Sequence, residues 1–194
     1  MRKNTGQAEY PKCPAIIFNN SGSMVAAGRL EKTMEIIVGT TYNSAHGADF
    51  YVSDARTGIP TFAAHIEDGW GAFSAPLIPI ITGHDYINIM ALAAVISEYP
   101  AGVHIIDDGD GISEDIAEAL HLLKDMKNPA YMNPVILYYV RGQSQSQSVN
   151  RHYEQFRKLC PEGSGFNISM YHAAINDDIP GWHENPGIRS LAQE

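Results

Sequence analysis

Residues 15–30 read AIIFNNSGSMVAAGRL and contain the transition on which the predicted fold depends. The apolar run 15–18 ends abruptly at the polar segment 19–23, and a helix-compatible segment follows. A strand, a tight polar turn and a helix in this order form the opening unit of many α/β nucleotide-binding folds. This stretch therefore predicts the class of the fold.

Apolar strand patterns and helical patterns alternate along the rest of the chain. Further strands are predicted at residues 49–53, 103–106, 134–140 and 166–171, and further helices at residues 85–98, 113–127 and 149–160. This alternation predicts an α/β fold with a mostly parallel sheet and helices on both faces, in the P-loop NTPase-like or Rossmann-like class. We expect a single domain over residues 1–194, with a polar N-terminal extension at 1–12 and a C-terminal segment at 176–194.

Five local features of the chain carry more specific expectations. Residues 59–74 are expected to form a loop or short helix, and Pro79 reduces residues 77–82 to an edge or interrupted strand. Ser113 is expected to cap the helix that follows it. The Gln/Ser tract 143–148 is expected to be a flexible polar turn, and residues 39–47 a polar connection.

The charge balance limits the classes of partner. The net charge is −9, with only 13 Lys and Arg residues, so we expect contacts with proteins rather than direct binding to DNA or to an anionic membrane surface. No segment approaches the roughly 20 apolar residues of a membrane span, and the N-terminus has no signal-like apolar stretch. These features predict a cytoplasmic protein without a membrane span.

The cysteines and histidines show no local metal-binding motif. Cys13 and Cys160 lie far apart in the sequence and are expected to be reduced thiols. The eight histidines have neither HxH nor HExxH spacing, which argues against zinc chemistry.

Polar residues follow the predicted strands, at the edge where ligands bind in folds of this class. The segment after the first strand could offer backbone N–H groups to an anion, or simply a serine N-cap. Its candidate cofactor-binding residues are Asn20, Ser21, Gly22 and Ser23.

Two further strand ends offer charged side chains. Asp107 could hold Mg²⁺ through its carboxylate, or belong to a solvated turn rich in Asp and Gly. Arg141 could bind a phosphate or carboxylate in a bidentate manner, or be an ordinary surface arginine.

The order of these segments resembles that of the ParA/MinD-type deviant Walker ATPases, including the small plasmid stability and transfer ATPases of that group. The resemblance covers about residues 13–175 and depends on layout more than on identity. The segments that carry it are FNNSGSMVAAG at 18–28, FYVSDARTG at 50–58, VHIIDDGDG at 103–111 and VILYYVRGQSQSQSVNRHYEQF at 135–156. The resemblance implies that Asp54 and Asp107 stand at the switch and Walker B positions, where they would bind Mg²⁺ together with ATP or ADP.

The phosphate loop departs from the family pattern KGGVGK[ST]. Ser21 stands where the signature lysine would be, while Ala26 and Ala27 replace the catalytic lysine and the magnesium-binding hydroxyl. Because electrostatic stabilisation supplies most of the catalysis in such a site, we expect normal ATP hydrolysis to be lost or very slow.

The resemblance therefore implies a degenerate ParA/MinD-like protein that acts by protein–protein binding in plasmid maintenance, positioning or conjugative transfer, as a homodimer or in a heteromeric assembly. Two alternatives remain open. One is a magnesium-dependent enzyme of the same fold that acts on a nucleotide or phosphate ligand through Asp54, Asp107, Asp110 and Arg141. The other is a non-catalytic α/β ligand-binding module.

Overall fold

The sheet is built around the apolar run that begins at Ala15. A computed structural model describes residues 10–21, 23–24, 29–53, 57–67, 87–109 and 111–176. Within these residues the strands are β1 Ala15–Asn19, β2 Ala48–Ser53, β3 Pro60–Ile66, β4 Val103–Asp107, β5 Val135–Gly142 and β6 Ile168–Ile175. The helices are α1 Arg29–Tyr42, α2 Ile89–Glu98, α3 Ile112–Asp125 and α4 Ser146–Leu159, with short 3₁₀ turns at Pro129–Met132 and Gln143–Gln145.

The six strands form one sheet in the order β3-β2-β1-β4-β5-β6. All neighbouring strands are parallel except β2 and β3, which are antiparallel. The direction of strand addition reverses between β1 and β4, which makes their carboxyl ends the topological switch point of the sheet.

Helices cover both faces of the sheet, because successive side chains of a strand point to opposite sides. Ala15 and Ile17 belong to a core shared with α2, α3 and α4. Ile16 and Phe18 belong to a second core that includes Ile37 of α1. Every residue of β1 is buried, as expected for a strand covered on both faces. The predicted α/β class, with a mostly parallel sheet and helices on both faces, is confirmed.

The prediction of a loop or short helix at residues 59–74 is wrong for its first part, which forms β3. Only Pro60 and Ile66 of this strand are buried. Because β3 lies at the edge of the sheet and is largely exposed, its sequence does not alternate between apolar and polar residues. Pro60 is tolerated because it is the first residue of an edge strand. The interrupted strand predicted at 77–82 lies outside the described residues.

Ser113 is not the N-cap of its helix, which was a second wrong prediction. Helix α3 begins at Ile112 with Gly111 as its cap residue, so Ser113 lies inside the first turn. Its Oγ is completely buried and lies 2.8 Å from Nε2 of His152 on α4. The Ser113 hydroxyl, which the sequence suggested as a helix cap, therefore contacts another helix instead.

Two predicted connections are shorter than expected. Helix α1 continues to Tyr42, past the start of the predicted connection at Gly39. The Gln/Ser tract is not a flexible turn, because it forms the 3₁₀ turn Gln143–Gln145 and then enters α4 at Ser146. The α-helices contain 10 to 14 residues, and none in the described part of the chain is both long and apolar enough to cross a membrane.

Replacing Gly47 by alanine tests the link between α1 and β2. Gly47 has a φ of +64°, and an added Cβ would lie 2.2 Å from the carbonyl oxygen of Ile66. We expect Gly47→Ala to lower the free energy of unfolding by about 1–3 kcal/mol from backbone strain alone. Gly39→Ala is the matched control: its Cβ would meet nothing within 4 Å, and in a helix it should stabilise by about 0.5–1 kcal/mol. Urea unfolding measures both, and equal effects would contradict this account of the α1–β2 link.

Candidate functional site at the switch point

Asp107 is the last residue of β4 and lies beside the end of β1. Its side chain is fixed from two directions: Asn19 donates through Nδ2 to Oδ2 at 2.8 Å, and the backbone N–H of Gly109 donates to Oδ1 at 2.7 Å. The residue is only 1 % exposed. The predicted magnesium ligand is therefore a buried, tightly held carboxyl group rather than part of a solvated turn.

Burial, and after it the neighbouring charge of Asp108, raise the pKa of Asp107 from 3.8 to about 7. The hydrogen bonds from Gly109 and Asn19 oppose this rise because they stabilise the carboxylate. Near neutral pH the site therefore gains or loses a proton easily. Such a group at a switch point is a candidate functional residue.

Two more buried oxygens lie in the same row of the sheet. Ser53 at the end of β2 stands opposite Asn19 in the strand register. Oγ of Ser53 and Oδ1 of Asn19 are both buried and have no hydrogen-bond partner among the described residues. Because buried polar atoms are usually paired, this row offers acceptors and a hydroxyl for an additional hydrogen-bonding or cation-binding group.

The loop between β1 and α1 closes on Asp108. Ser23 donates through Oγ to Oδ1 of Asp108 at 2.9 Å, and Ser21 Oγ lies 3.4 Å from the same oxygen. Arg29, the first described residue of α1, forms an ion pair with Oδ2 at 2.8 Å and also donates to the carbonyl of Ser23 at 3.0 Å. The Arg29 and Asp108 side chains are 6 % and 5 % exposed, respectively.

We call the contacts among Ser21, Ser23, Arg29 and Asp108 the loop clasp. Hydroxyl groups and a guanidinium group at the start of a helix are suitable ligands for an anion. Here they hold a carboxylate of the same chain, so an incoming phosphate would have to displace Asp108 and overcome its negative charge.

The predicted cofactor-binding residues are only partly brought together. Asn20 and Ser21 are each 4 % exposed, whereas Ser23 is half-buried. Arg141 lies on β5, where its Nε donates to the hydroxyl of Tyr139 at 3.0 Å and its guanidinium lies 5.2 Å from the centre of that ring. Tyr139 stands opposite Asp107 in the register of β4 and β5. Gly22, Asp54 and Asp110 lie outside the described residues. The role of these residues in binding a cofactor stays a prediction.

His152 and Ser113 form a polar pair that links Tyr139 of β5 to helices α3 and α4. The ring of His152 stacks on Tyr139 at 4.3 Å between centroids, with an angle of 4° between the planes. His152 also contacts the hydroxyl of Ser113 on α3. Both members of this Ser–His pair are buried, so it connects α3, α4 and β5 beside the site.

Sequence reasoning missed three residues of this site: Asn19, Arg29 and Asp108. Asp108 was visible only as part of the DDGDG segment, and Asn19 only as the first residue of the polar segment 19–23. Nothing in the sequence pointed to Arg29, because its contact with Asp108 depends on the strand order that places α1 beside the end of β4.

No protein-family model matches the sequence, and no curated protein is significantly similar to it. What the site can do therefore follows from its own side chains: a buried acid at the switch point, and a loop closed on an internal carboxylate.

The raised pKa of Asp107 predicts a distinctive dependence of stability on pH. At the Asp107 carboxyl, the folded state binds more protons than the unfolded state between the unfolded pKa of 3.8 and the folded pKa of about 7. Stability contributed by this group should therefore fall as pH rises through that window, by about 4 kcal/mol in total. Urea unfolding of the wild type and of Asp107→Asn from pH 4 to pH 8 measures the difference.

The Asp107→Asn control keeps an acceptor for Gly109, and Asn19 can turn its amide to accept from the new NH₂ group. It has no titrating proton, so its profile should lack the fall. Parallel profiles for the two proteins would contradict the assignment of a raised pKa to Asp107.

Breaking the ion pair of the loop clasp should be costly. Arg29→Met removes this cation from buried Asp108, and Asp108→Asn removes this carboxylate from buried Arg29, so each should lower the free energy of unfolding by about 3–5 kcal/mol. The double variant should lose less than the sum, because the two groups interact directly. The exposed pair Lys32–Glu35 on α1 is the matched control and should cost less than about 1 kcal/mol. Additive losses at Arg29 and Asp108 would refute the coupling.

Proposed function

We propose that this chain is a degenerate ParA/MinD-like protein that acts by binding another protein in plasmid maintenance, positioning or conjugative transfer. In this proposal it does not hydrolyse ATP by the usual route. The α/β fold, the junction of β1 and β4 and the acid at the end of β4 support the proposal, since each agrees with the layout of that family.

The loop clasp is the observation that carries the proposal. A nucleotide phosphate placed on the loop would meet Asp108, which already accepts from Ser21, Ser23 and Arg29. Removing a carboxylate from a buried ion pair costs several kcal/mol before any phosphate contact is gained. In the sequence, Ala26 and Ala27 occupy the positions where the family pattern has a lysine and a hydroxyl that serve catalysis. The binding role therefore requires neither nucleotide affinity nor turnover.

The charge balance favours a protein partner. With a net charge of −9, the chain would be repelled by the phosphate backbone of DNA except at a local basic patch. A complex with a basic protein surface agrees with this balance, whereas a homodimer would have to overcome the repulsion between two chains of like charge.

Titration with ATP and ADP, with and without Mg²⁺, tests the nucleotide part of the proposal. A ligand present at 100 times its Kd would add about 2.7 kcal/mol of stability. We expect no change in the melting temperature of the wild type and no ATP turnover above background. Saturable stabilisation together with turnover that is lost in Asp107→Asn would overturn the proposal in favour of an enzyme.

The biological part of this test uses the replicon that encodes the chain. Deleting the coding region should raise the loss of that replicon or lower its transfer, and the Asp107→Asn variant should restore both as well as the wild type does. A deletion without effect on either property would count against the proposed role.

One observation favours a second candidate function, a magnesium-dependent enzyme that acts on a nucleotide or phosphate ligand. Asp107, Asn19 and Ser53 supply a carboxylate, an amide oxygen and a hydroxyl in one row, and hard cations prefer such oxygen ligands. Their donor chemistry fits Mg²⁺, which would neutralise charge on a bound phosphate. The Mg²⁺ arm of the titration above distinguishes the two candidates.

A further inference from the structure

A second cluster of reactive side chains lies at the opposite end of the sheet. Cys13 precedes β1, Asp49 is in β2, and His65 of β3 pairs with Asp49 across the antiparallel ladder. The Cys13 sulfur, a carboxylate oxygen of Asp49 and a ring nitrogen of His65 all lie within 4.8 Å of one another. Three elements of the sheet therefore place a thiol, a carboxylate and an imidazole around one point.

The carboxylate of this cluster is oriented by its neighbours. Oδ1 of Asp49 lies 2.6 Å from Nδ1 of His65, and Tyr99 of the α2 C-terminus donates its hydroxyl to Oδ2 at 2.7 Å. The Tyr99 hydroxyl in turn lies 2.9 Å from that of Tyr51. A hydrogen bond to the second oxygen of a carboxylate fixes the direction of the first, as outer-shell partners do in metal sites.

The cluster opens onto a cavity of about 750 Å³. Cys13 and His65 line the cavity, together with Tyr10, His46 and Glu67. Cys13 is buried whereas the His65 side chain is 42 % exposed, so one side of the cluster faces the protein interior and the other faces the cavity. A group bound between them would be reachable from solvent.

We propose that Cys13, Asp49 and His65 bind a zinc ion, with a fourth coordination position directed toward this cavity. Thiolate, imidazole and carboxylate together suit Zn²⁺, whereas Mg²⁺ and Ca²⁺ take oxygen ligands. Binding forms bonds from the metal to sulfur, nitrogen and oxygen, and the Cys13 thiol releases its proton to solvent.

The distances leave room for this ion. With metal–ligand bonds of about 2.0–2.3 Å, the ligand atoms of a tetrahedral site stand roughly 3.3–3.8 Å apart. The cluster already lies within 4.8 Å, and the His65–Asp49 contact at 2.6 Å must open by about 1 Å. The exposed ring of His65 can make that movement without disturbing the core.

Three protein ligands and an open position are the pattern of catalytic zinc rather than of closed structural zinc. A metal held in this way would bind water or an anionic ligand from the cavity. The site lies at the amino end of β1, so it is independent of the loop clasp and of the proposed function.

Cobalt substitution tests the proposal, because Co²⁺ reports its ligands through visible absorption. The full chain is treated with a chelator, dialysed, and titrated with Co²⁺ and then Zn²⁺. We expect one Co²⁺ per chain, a tetrahedral spectrum with a thiolate charge-transfer band, and displacement by Zn²⁺. Cys13→Ser should remove the charge-transfer band, and His65→Ala should weaken binding at least about 10-fold. Tyr99→Phe should weaken binding about 10–100-fold through loss of the outer-shell hydrogen bond.

Cys160→Ser is the matched control, since it removes the other cysteine, which lies beyond α4, and should leave the spectrum unchanged. Circular dichroism checks that each variant is folded, and exposed His65 provides the decisive variant if Cys13→Ser is unfolded. The proposal is overturned if the wild type binds no Co²⁺, which would leave Asp49 and His65 as a hydrogen-bonded pair only. It is also overturned if binding survives unchanged in His65→Ala, or if Cys160→Ser removes it.

Discussion

The buried ion pair between Arg29 and Asp108 is the interaction on which the functional account depends. It joins the start of α1 to the end of β4 and draws Ser21 and Ser23 to the same carboxylate. In a phosphate-binding loop such donors would be directed at the ligand, whereas here they are engaged within the chain. The donors of an anion-binding site are thus present, but the carboxylate of Asp108 occupies them.

Asp107 and Asp108 are neighbours with different surroundings, and their roles follow from this difference. Asp108 forms an ion pair with Arg29, whereas the described donors to the Asp107 carboxylate are neutral groups, among them Asn19 and the backbone N–H of Gly109. Burial penalises the charged form of a carboxyl group, and together with the charge of Asp108 it raises the pKa of Asp107 to about 7. The switch point therefore holds one acid that is ion-paired with Arg29 and one acid whose pKa lies near neutral pH. The cluster of Cys13, Asp49 and His65 lies at the other end of the sheet and differs in chemistry. Its thiol and imidazole suit a softer cation than Mg²⁺.

The sequence was most informative where local pattern and fold agree. The apolar run from Ala15 predicted the first strand, and the polar residues after it predicted the turn that follows this strand. Asp107 was placed correctly at a strand end, because carboxyl ends of parallel strands meet at one edge of a sheet. Edge strand β3 was missed because its side chains are largely exposed and show no alternation.

The contacts between distant residues could not be predicted. Arg29 and Asp108 meet only because β1 and β4 are neighbours, which the strand order determines. The expectation of no zinc chemistry rested on the spacing of histidines, but Cys13, Asp49 and His65 come from three separate strands or strand ends and need no local motif. Ser113 had the position of a capping residue, yet its hydroxyl contacts His152 on another helix.

A crystal structure grown from a sulfate-containing solution tests the central claim most directly. Sulfate has the charge and shape of a phosphate group and would compete for the donors of Ser21, Ser23 and Arg29. The account predicts that Asp108 keeps its contacts with Arg29 and both serines, with no sulfate between them. A sulfate bound to those three residues, with Asp108 turned away, would contradict it.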